Sequence, residues 1–298
     1  MAQKLLKYIV VVLITVNMVI LGFVVLGGKS DPVVPLPNPN GYDDFVKAGK
    51  LSPNRENDYK YATMPQDDLR ALVVTNEEAL KLVRVGLTRK CRVPINYSQD
   101  YFERILPELL GFKALTFVLC AEGKLAEQEG RTNDAAKIYM EAIRFGQESS
   151  RGGVIMSRLV GMVCELIARK HLQPLANRLD AAQDRGIIET LATVDATEEA
   201  PEKTLKQETA LIRKVASFKE QFEALIHYKD ERAFEADFVA KVQKNRLERR
   251  QTMIAFAARA YELEKGKSPG SMSDLVPGYL KAIPQDPTTG TNLVYSPQ

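Results

Sequence analysis

The stretch AEGKLAEQEGRTNDAAKIYMEAI, Ala121 to Ile143, decides the fold class. It reads as two helical runs separated at Gly130, with small residues where the two would touch, which is the pattern of an antiparallel helical hairpin. Working outward, a helical stretch begins near Ser98, meets Pro107 and continues to about Glu129, and another follows from Asn133 to Phe145. Proline lacks an N–H and its ring crowds the preceding turn, so a kink or break is expected at Pro107.

Further along, GVIMSRLVGMVCELIARKHL (Gly153–Leu172) is apolar enough to be a central buried helix, and IIETLATVDA after Gly186 is a shorter amphipathic one. Beyond Pro201, Leu205, Ile212, Val215, Phe218, Phe222 and Leu225 form one apolar stripe along a charged helix. A second charged helix is expected from about Arg232 through Tyr261, with Phe234, Phe238 and Val242 on a shared face, and the two could pair as a hairpin. On the N-terminal side, Thr75 and Glu78 have the spacing of a capping box before EEALKLVRVGL. Alternation suited to a strand occurs only around Asn292 to Tyr295, so the expected fold is mainly α with a small C-terminal strand.

Residues 8 to 26, YIVVVLITVNMVILGFVVL, carry no charge. At about 1.5 Å per residue such a run nearly spans a hydrocarbon core of about 30 Å. Lys4 and Lys7 favour leaving the N-terminus in the cytoplasm, which places the bulk of the chain on the periplasmic side. The alternative is a cleaved signal peptide, with the small residues Val25 and Gly27 before the cut, although its apolar core is normally about 7 to 15 residues. Pro32, Pro35, Pro37 and Pro39 then make a stiff spacer. The expected organisation is an anchor at 1–30, a proline-rich spacer and polar linker at 31–65, a helical domain at 66–200, and a long helical pair with a tail at 201–298.

Lys4, Lys7 and Lys29 are the only charges in residues 1–30, and removing those three from the 41 basic residues leaves 38, equal to the 38 acidic ones. Nucleic-acid binders concentrate cations to replace phosphate counterions, so nucleic acid is not an expected partner. Cys91, Cys120 and Cys164 admit one disulfide and one buried thiol, and no C-x-x-C pair suggests zinc or redox chemistry. The two histidines, His171 and His227, limit imidazole-based chemistry. Cys164 and His171 stand about 10 Å apart along a helix axis, too far to share a metal. Glu223 and His227 are four apart and could share one, but a charged helix surface accounts for them better.

No P-loop, dinucleotide, serine-hydrolase or zinc-protease signature is present, so no catalytic residue is assigned and no cofactor or metal is expected. Gly152 and Gly153 precede a helix whose N-terminus could hold an anion, or serve only as a flexible loop. The basic run RLERRQ (Arg246–Gln251) reads as a solvated helix face.

Two resemblances add to this. Gly123, Gly130, Ala135, Tyr139 and Ala142 sit at spacings that resemble a tetratricopeptide repeat, which implies that Gly123 and Ala135 let two helices approach, that Gly130 ends the first in a left-handed conformation, and that Tyr139 fills the gap between them. No second unit follows in register. The segment IAFAARAYELEKGKSPGSMSDLVPGYLKAIPQDPTTGTNLVY resembles the region after the long N-terminal helix of type II secretion major pseudopilins. The likeness rests on Tyr261, Gly266, Pro269, Leu275, Val276, Tyr279, Leu280, Ile283, Pro284, Asp286, Pro287, Gly290 and Tyr295. The N-terminus lacks the prepilin cleavage signal, and similar tails end many membrane-anchored bacterial proteins. Within that likeness Asp286 reads as a turn residue. The functional expectation is a membrane-anchored, non-enzymatic helical module that binds another envelope protein; the alternatives are an envelope hydrolase using carboxylates and an accessory factor of a secretion or pilus-like system.

The topology is directly measurable. With Cys91, Cys120 and Cys164 replaced, a Ser30→Cys variant should react with an impermeant thiol reagent on intact cells; protection that is relieved by lysis would invert the orientation.

Overall fold

A computed structural model describes residues 34–52, 58–215 and 228–295, with side chains omitted at 228–231. The described helices all belong to one compact unit, Leu36–Gln298. The apolar segment Tyr8–Leu26 lies outside the described residues; among those described, no helix is long and apolar enough to cross a membrane.

The described chain is mainly α-helical. Its helices are α1 (Gly41–Leu51), α2 (Gln66–Thr75), α3 (Glu77–Leu87), α4 (Tyr101–Gln128), α5 (Thr132–Glu148), α6 (Ile155–Leu172), α7 (Ala181–Thr197), α8 (Pro201–Val215) and α9 (Tyr228–Lys265), with short 3-10 turns at Asp58–Thr63, Gln173–Arg178 and Met272–Leu275. The small strand expected at Asn292–Tyr295 is not formed: among the described residues there is one antiparallel bridge, Gln285 to Asn292. Pro284 and Pro287 flank that bridge and lack the N–H groups a ladder needs.

The central helix is α4 rather than α6. It buries Ile105, Leu109, Phe112, Leu115, Val118 and Leu119 and packs against α1, α2, α3, α5 and α6, although each of the two helices also leaves two large apolar residues exposed, Leu106 and Leu110 on α4 and Met156 and Val163 on α6. α4 runs unbroken through Pro107. Pro107 and Glu103, whose carbonyl the proline leaves without its helical donor, are both exposed, so water can satisfy that group.

Residues 41–51, read from sequence as linker, form a helix that belongs to the core. The Asn40 side chain starts it: Oδ1 accepts from Tyr42 N (3.3 Å) and from Arg92 N (3.0 Å), and Nδ2 donates to Arg92 O (2.8 Å). Tyr42, Phe45 and Ala48 are then buried. Phe45 meets Phe145 edge-on at 4.9 Å, and Phe112 lies 5.8 Å from Phe145 and 5.4 Å from Tyr42. Each such pair adds about 0.5–1.5 kcal/mol beyond the apolar area it buries.

The capping box expected at Thr75 and Glu78 is absent. Thr75 Oγ1 donates back to Ala71 O (2.8 Å) and Asn76 Nδ2 to Leu72 O (2.9 Å), so both side chains close the end of α2 instead of opening α3. A capping box does open α7, where Asp180 Oδ1 accepts from Gln183 N (2.8 Å) and Gln183 Oε1 accepts from Asp180 N (2.9 Å). The helix therefore begins six residues before Ile187.

At the turn between α4 and α5, Gly130 takes φ +76°, and a Cβ on Gly123 would lie 2.4 Å from the Tyr139 ring. Between α5 and α6 the obstacle is backbone: a Cβ on Gly161 would fall 2.4 Å from the backbone oxygen of Gly146. The long helix α9 lies chiefly along α7 and also touches α6 and α8. Phe238 and Val242 are buried against Ile155, while Phe234 and Ile212 are exposed. Phe218, Phe222 and Leu225 lie outside the described residues.

Backbone cannot yield as a flexible side chain can, so Gly161→Ala should lower stability by about 1–3 kcal/mol or more. Gly186→Ala meets nothing within 4 Å and should raise it by about 0.5–1 kcal/mol. Urea midpoints of the two variants check both signs.

Candidate functional site

The densest gathering of chemically active side chains lies where α6, α7 and α9 meet. Arg158, Glu165 and Arg169 recur along α6 at seven and four residues, which puts them on one face, and helix α9 presents Asn245, Glu248, Arg249 and Thr252 to that face. Asp195 from the last turn of α7 and Glu198 just beyond it close the third side.

Arg249 is fully buried and grips Glu165 with two parallel bonds, Nε to Oε1 at 2.7 Å and Nη2 to Oε2 at 2.8 Å. Its Nη1 reaches Glu198 Oε2 at 2.9 Å and Asp195 Oδ1 at 3.3 Å. Glu165 also accepts from Arg169 Nη1 (3.0 Å) and Asn245 Nδ2 (2.8 Å), and Arg169 continues to Glu248 Oε2 at 2.5 Å. Glu198, with no exposed side-chain surface, is shared by Arg249, Arg246 (2.7 Å) and Arg158. Arg250 binds Asp195 Oδ2 through Nε (3.0 Å) and the carbonyl of Gln285 through Nη1.

Burial alone would push Glu165 and Glu198 toward the protonated form, but Arg249 first, then Arg169 on Glu165 and Arg158 on Glu198, hold both carboxyls below the usual range. Burial would likewise weaken the hold of Arg249 on its proton, yet Glu165 and Glu198 more than reverse this and raise it. Arg158 is lowered, by burial and then by the neighbouring charge of Arg249.

RLERRQ is therefore not a solvated face: Arg246, Arg249 and Arg250 are the α9 side of this network. The start of α6 and the loop before it carry their own anions. Gly152 N donates to Glu199 Oε2 (2.6 Å) and Ile155 N to Glu208 Oε2 (2.9 Å), so carboxylates of the same chain occupy the N-terminus read as open to an anion.

Cys91, Cys120 and Cys164 are buried and free, so no disulfide joins any two of them. Burial pushes the Cys91 and Cys120 thiols up to about 12 and that of Cys164 to about 11, which leaves them poor nucleophiles. His171 stacks on Tyr139 at 5.4 Å, its Nε2 lies 2.6 Å from Tyr61 OH, and burial lowers its affinity for a proton. Glu223 and His227 lie outside the described residues. Asp286 Oδ1 accepts from Thr288 N (2.7 Å) and Thr289 N (3.1 Å), which is turn chemistry. Among the described residues no three His, Cys, Asp or Glu side chains stand where they could hold one metal ion.

No family model, no curated protein and no solved structure matches this chain.

Removing one partner leaves the others as uncompensated buried charges, so Arg249→Met should cost about 3–5 kcal/mol, and adding Glu165→Leu should cost less than the sum of the two single changes. Carboxyls held below their ordinary range contribute stability that is present above about pH 4.3 and is lost as pH falls through their folded values. Wild-type stability should accordingly drop steeply on acidification below that pH, and Arg249→Met should flatten the drop, as followed by urea denaturation between pH 3 and 7.

Proposed function

We propose that this chain is a membrane-tethered helical scaffold, held by the apolar segment Tyr8–Leu26, whose body binds another envelope protein or organises an assembly on the periplasmic side. The observation that supports this reading is the network itself. The most strongly charged buried groups, Arg249, Glu165 and Glu198, direct their hydrogen-bonding capacity at one another across three helices. Spent in that way, they brace the angles between α6, α7 and α9, and a braced surface is what recognition without a chemical step needs.

Two resemblances belong to this reading as proposals. A tetratricopeptide-like origin of the α4–α5 hairpin would make the body an adaptor built from helix pairs. A pseudopilin-like origin of the tail would make it an accessory to a secretion or pilus-like machine. The tail is bound to the body by Arg185 Nη1 to Gly278 O (2.6 Å) and Tyr279 OH to Glu264 (2.7 Å), which suits a fixed docking element.

Cross-linking in intact cells, followed by purification of the detergent-solubilised full chain, should recover one reproducible envelope protein in near-stoichiometric amount. Repeated recovery of none would remove the proposal.

A further inference from the structure

Asp184, in the first turn of α7, is fully buried, and neither carboxyl oxygen has a hydrogen-bond partner. The cation acting on it is Arg259 of α9, whose Nε is also buried without a partner. Arg259 instead turns Nη1 to Glu262 Oε2 at 2.7 Å, one turn further along α9. Glu262 in its turn accepts from Ser268 Oγ (3.2 Å), beyond the Gly266 bend that leads into the tail. An orphaned carboxyl and an orphaned guanidinium nitrogen thus sit on packed helices, while the guanidinium is engaged by an exposed competitor.

The remaining charges nearby are spoken for or few. On α7, Asp180 caps the helix and adds a like charge, and Arg185 binds Glu264 (2.8 and 2.9 Å) and stacks on the Tyr279 ring. Helix α5 also packs on α7, and its first-turn carboxylate Asp134 is held by Arg131 at 3.1 Å.

We propose that Asp184, Arg259 and Glu262 form a proton-operated latch: while Asp184 is protonated Arg259 stays on Glu262, and when Asp184 ionises the guanidinium moves to Asp184 and frees Glu262 and the turn at Ser268. The direction follows from electrostatics. An ionised carboxylate buried without a donor is far costlier than a neutral one, and Arg259 can donate a hydrogen bond to it only by leaving its present partner. Burial pushes the Asp184 carboxyl up to about 7, with Arg259 opposing and Asp180 adding to the rise. The exchange therefore falls near neutral pH.

The sign for stability is fixed by the same shift. A carboxyl raised above its unfolded value favours the folded state below about pH 4, and that contribution is lost as pH rises toward 7. On the full chain in detergent, the Tm of Asp184→Asn minus that of wild type should grow by at least about 3 °C between pH 5 and pH 8. A difference that stays constant with pH overturns the latch.

Hydrogen exchange of residues 262–271 gives a second readout. Wild type should exchange faster than Asp184→Asn above neutral pH and equally at pH 5. Glu262→Gln removes the competitor and should move the wild-type transition to lower pH. Identical exchange in wild type and Asp184→Asn at every pH, or a Glu262→Gln transition that stays in place or moves upward, also overturns it.

Discussion

Arg249 brings a permanent positive charge into the interior, and the arrangement of α6, α7 and α9 follows from having to meet it. Transfer of such a group from water costs several kcal/mol even after relaxation, and one carboxylate does not repay that. Glu165 answers it from α6 with both oxygens, and Glu198 and Asp195 answer from the end of α7. Each anion then needs more donors than Arg249 can give, which draws in Arg158, Arg169, Arg246 and Asn245. Satisfying these geometries together leaves the three helices little freedom to slide, so the network contributes definition of shape more than net stability.

The other half of the body is held by different physics. Tyr42, Phe45, Phe112 and Phe145 lock α1, α4 and α5 through edge-on ring contacts, and apolar packing of this kind tolerates small adjustments that fixed ion pairs do not. Helix α6 belongs to both halves. Its Gly161 side lies against Gly146 of α5 with no room for a side chain, and its Arg158–Glu165–Arg169 face enters the network. The close glycine contact thereby sets how deeply the charged face is carried into the molecule.

Features that depend on neighbours in sequence were legible only in part: the turn at Gly130 was, whereas the start of α3 was not, because Thr75 bonds back to Ala71. The α4–α5 hairpin could be read because Gly123, Gly130 and Tyr139 act within one short stretch. The start of α1 was not, since Asn40 works as a cap only with the Arg92 backbone in place. The charged run at Arg246–Gln251 was misread for the same reason: its partners are Glu165, Asp195 and Glu198, about fifty to eighty residues earlier, as in Arg249 to Glu165 at a separation of 84. A window on α9 alone sees only a basic helix. One signal was present, in that Arg158, Glu165 and Arg169 share a face of a segment otherwise apolar enough to be called core, and charges placed so need buried partners.

That separation has a consequence for synthesis. Glu165 leaves the ribosome 84 residues before Arg249. At about 5–20 residues per second, it spends about 4–17 s with the guanidinium that will neutralise it not yet made. The start of α6 and the loop before it wait too, because Glu199 and Glu208 lie 47 and 53 residues downstream of the Gly152 and Ile155 amides they serve. This corner therefore cannot mature from the N-terminal side as the chain emerges. It closes late, once Arg249 has been made, and until then Glu165 has within its own helix only Arg169, four residues on, to answer it.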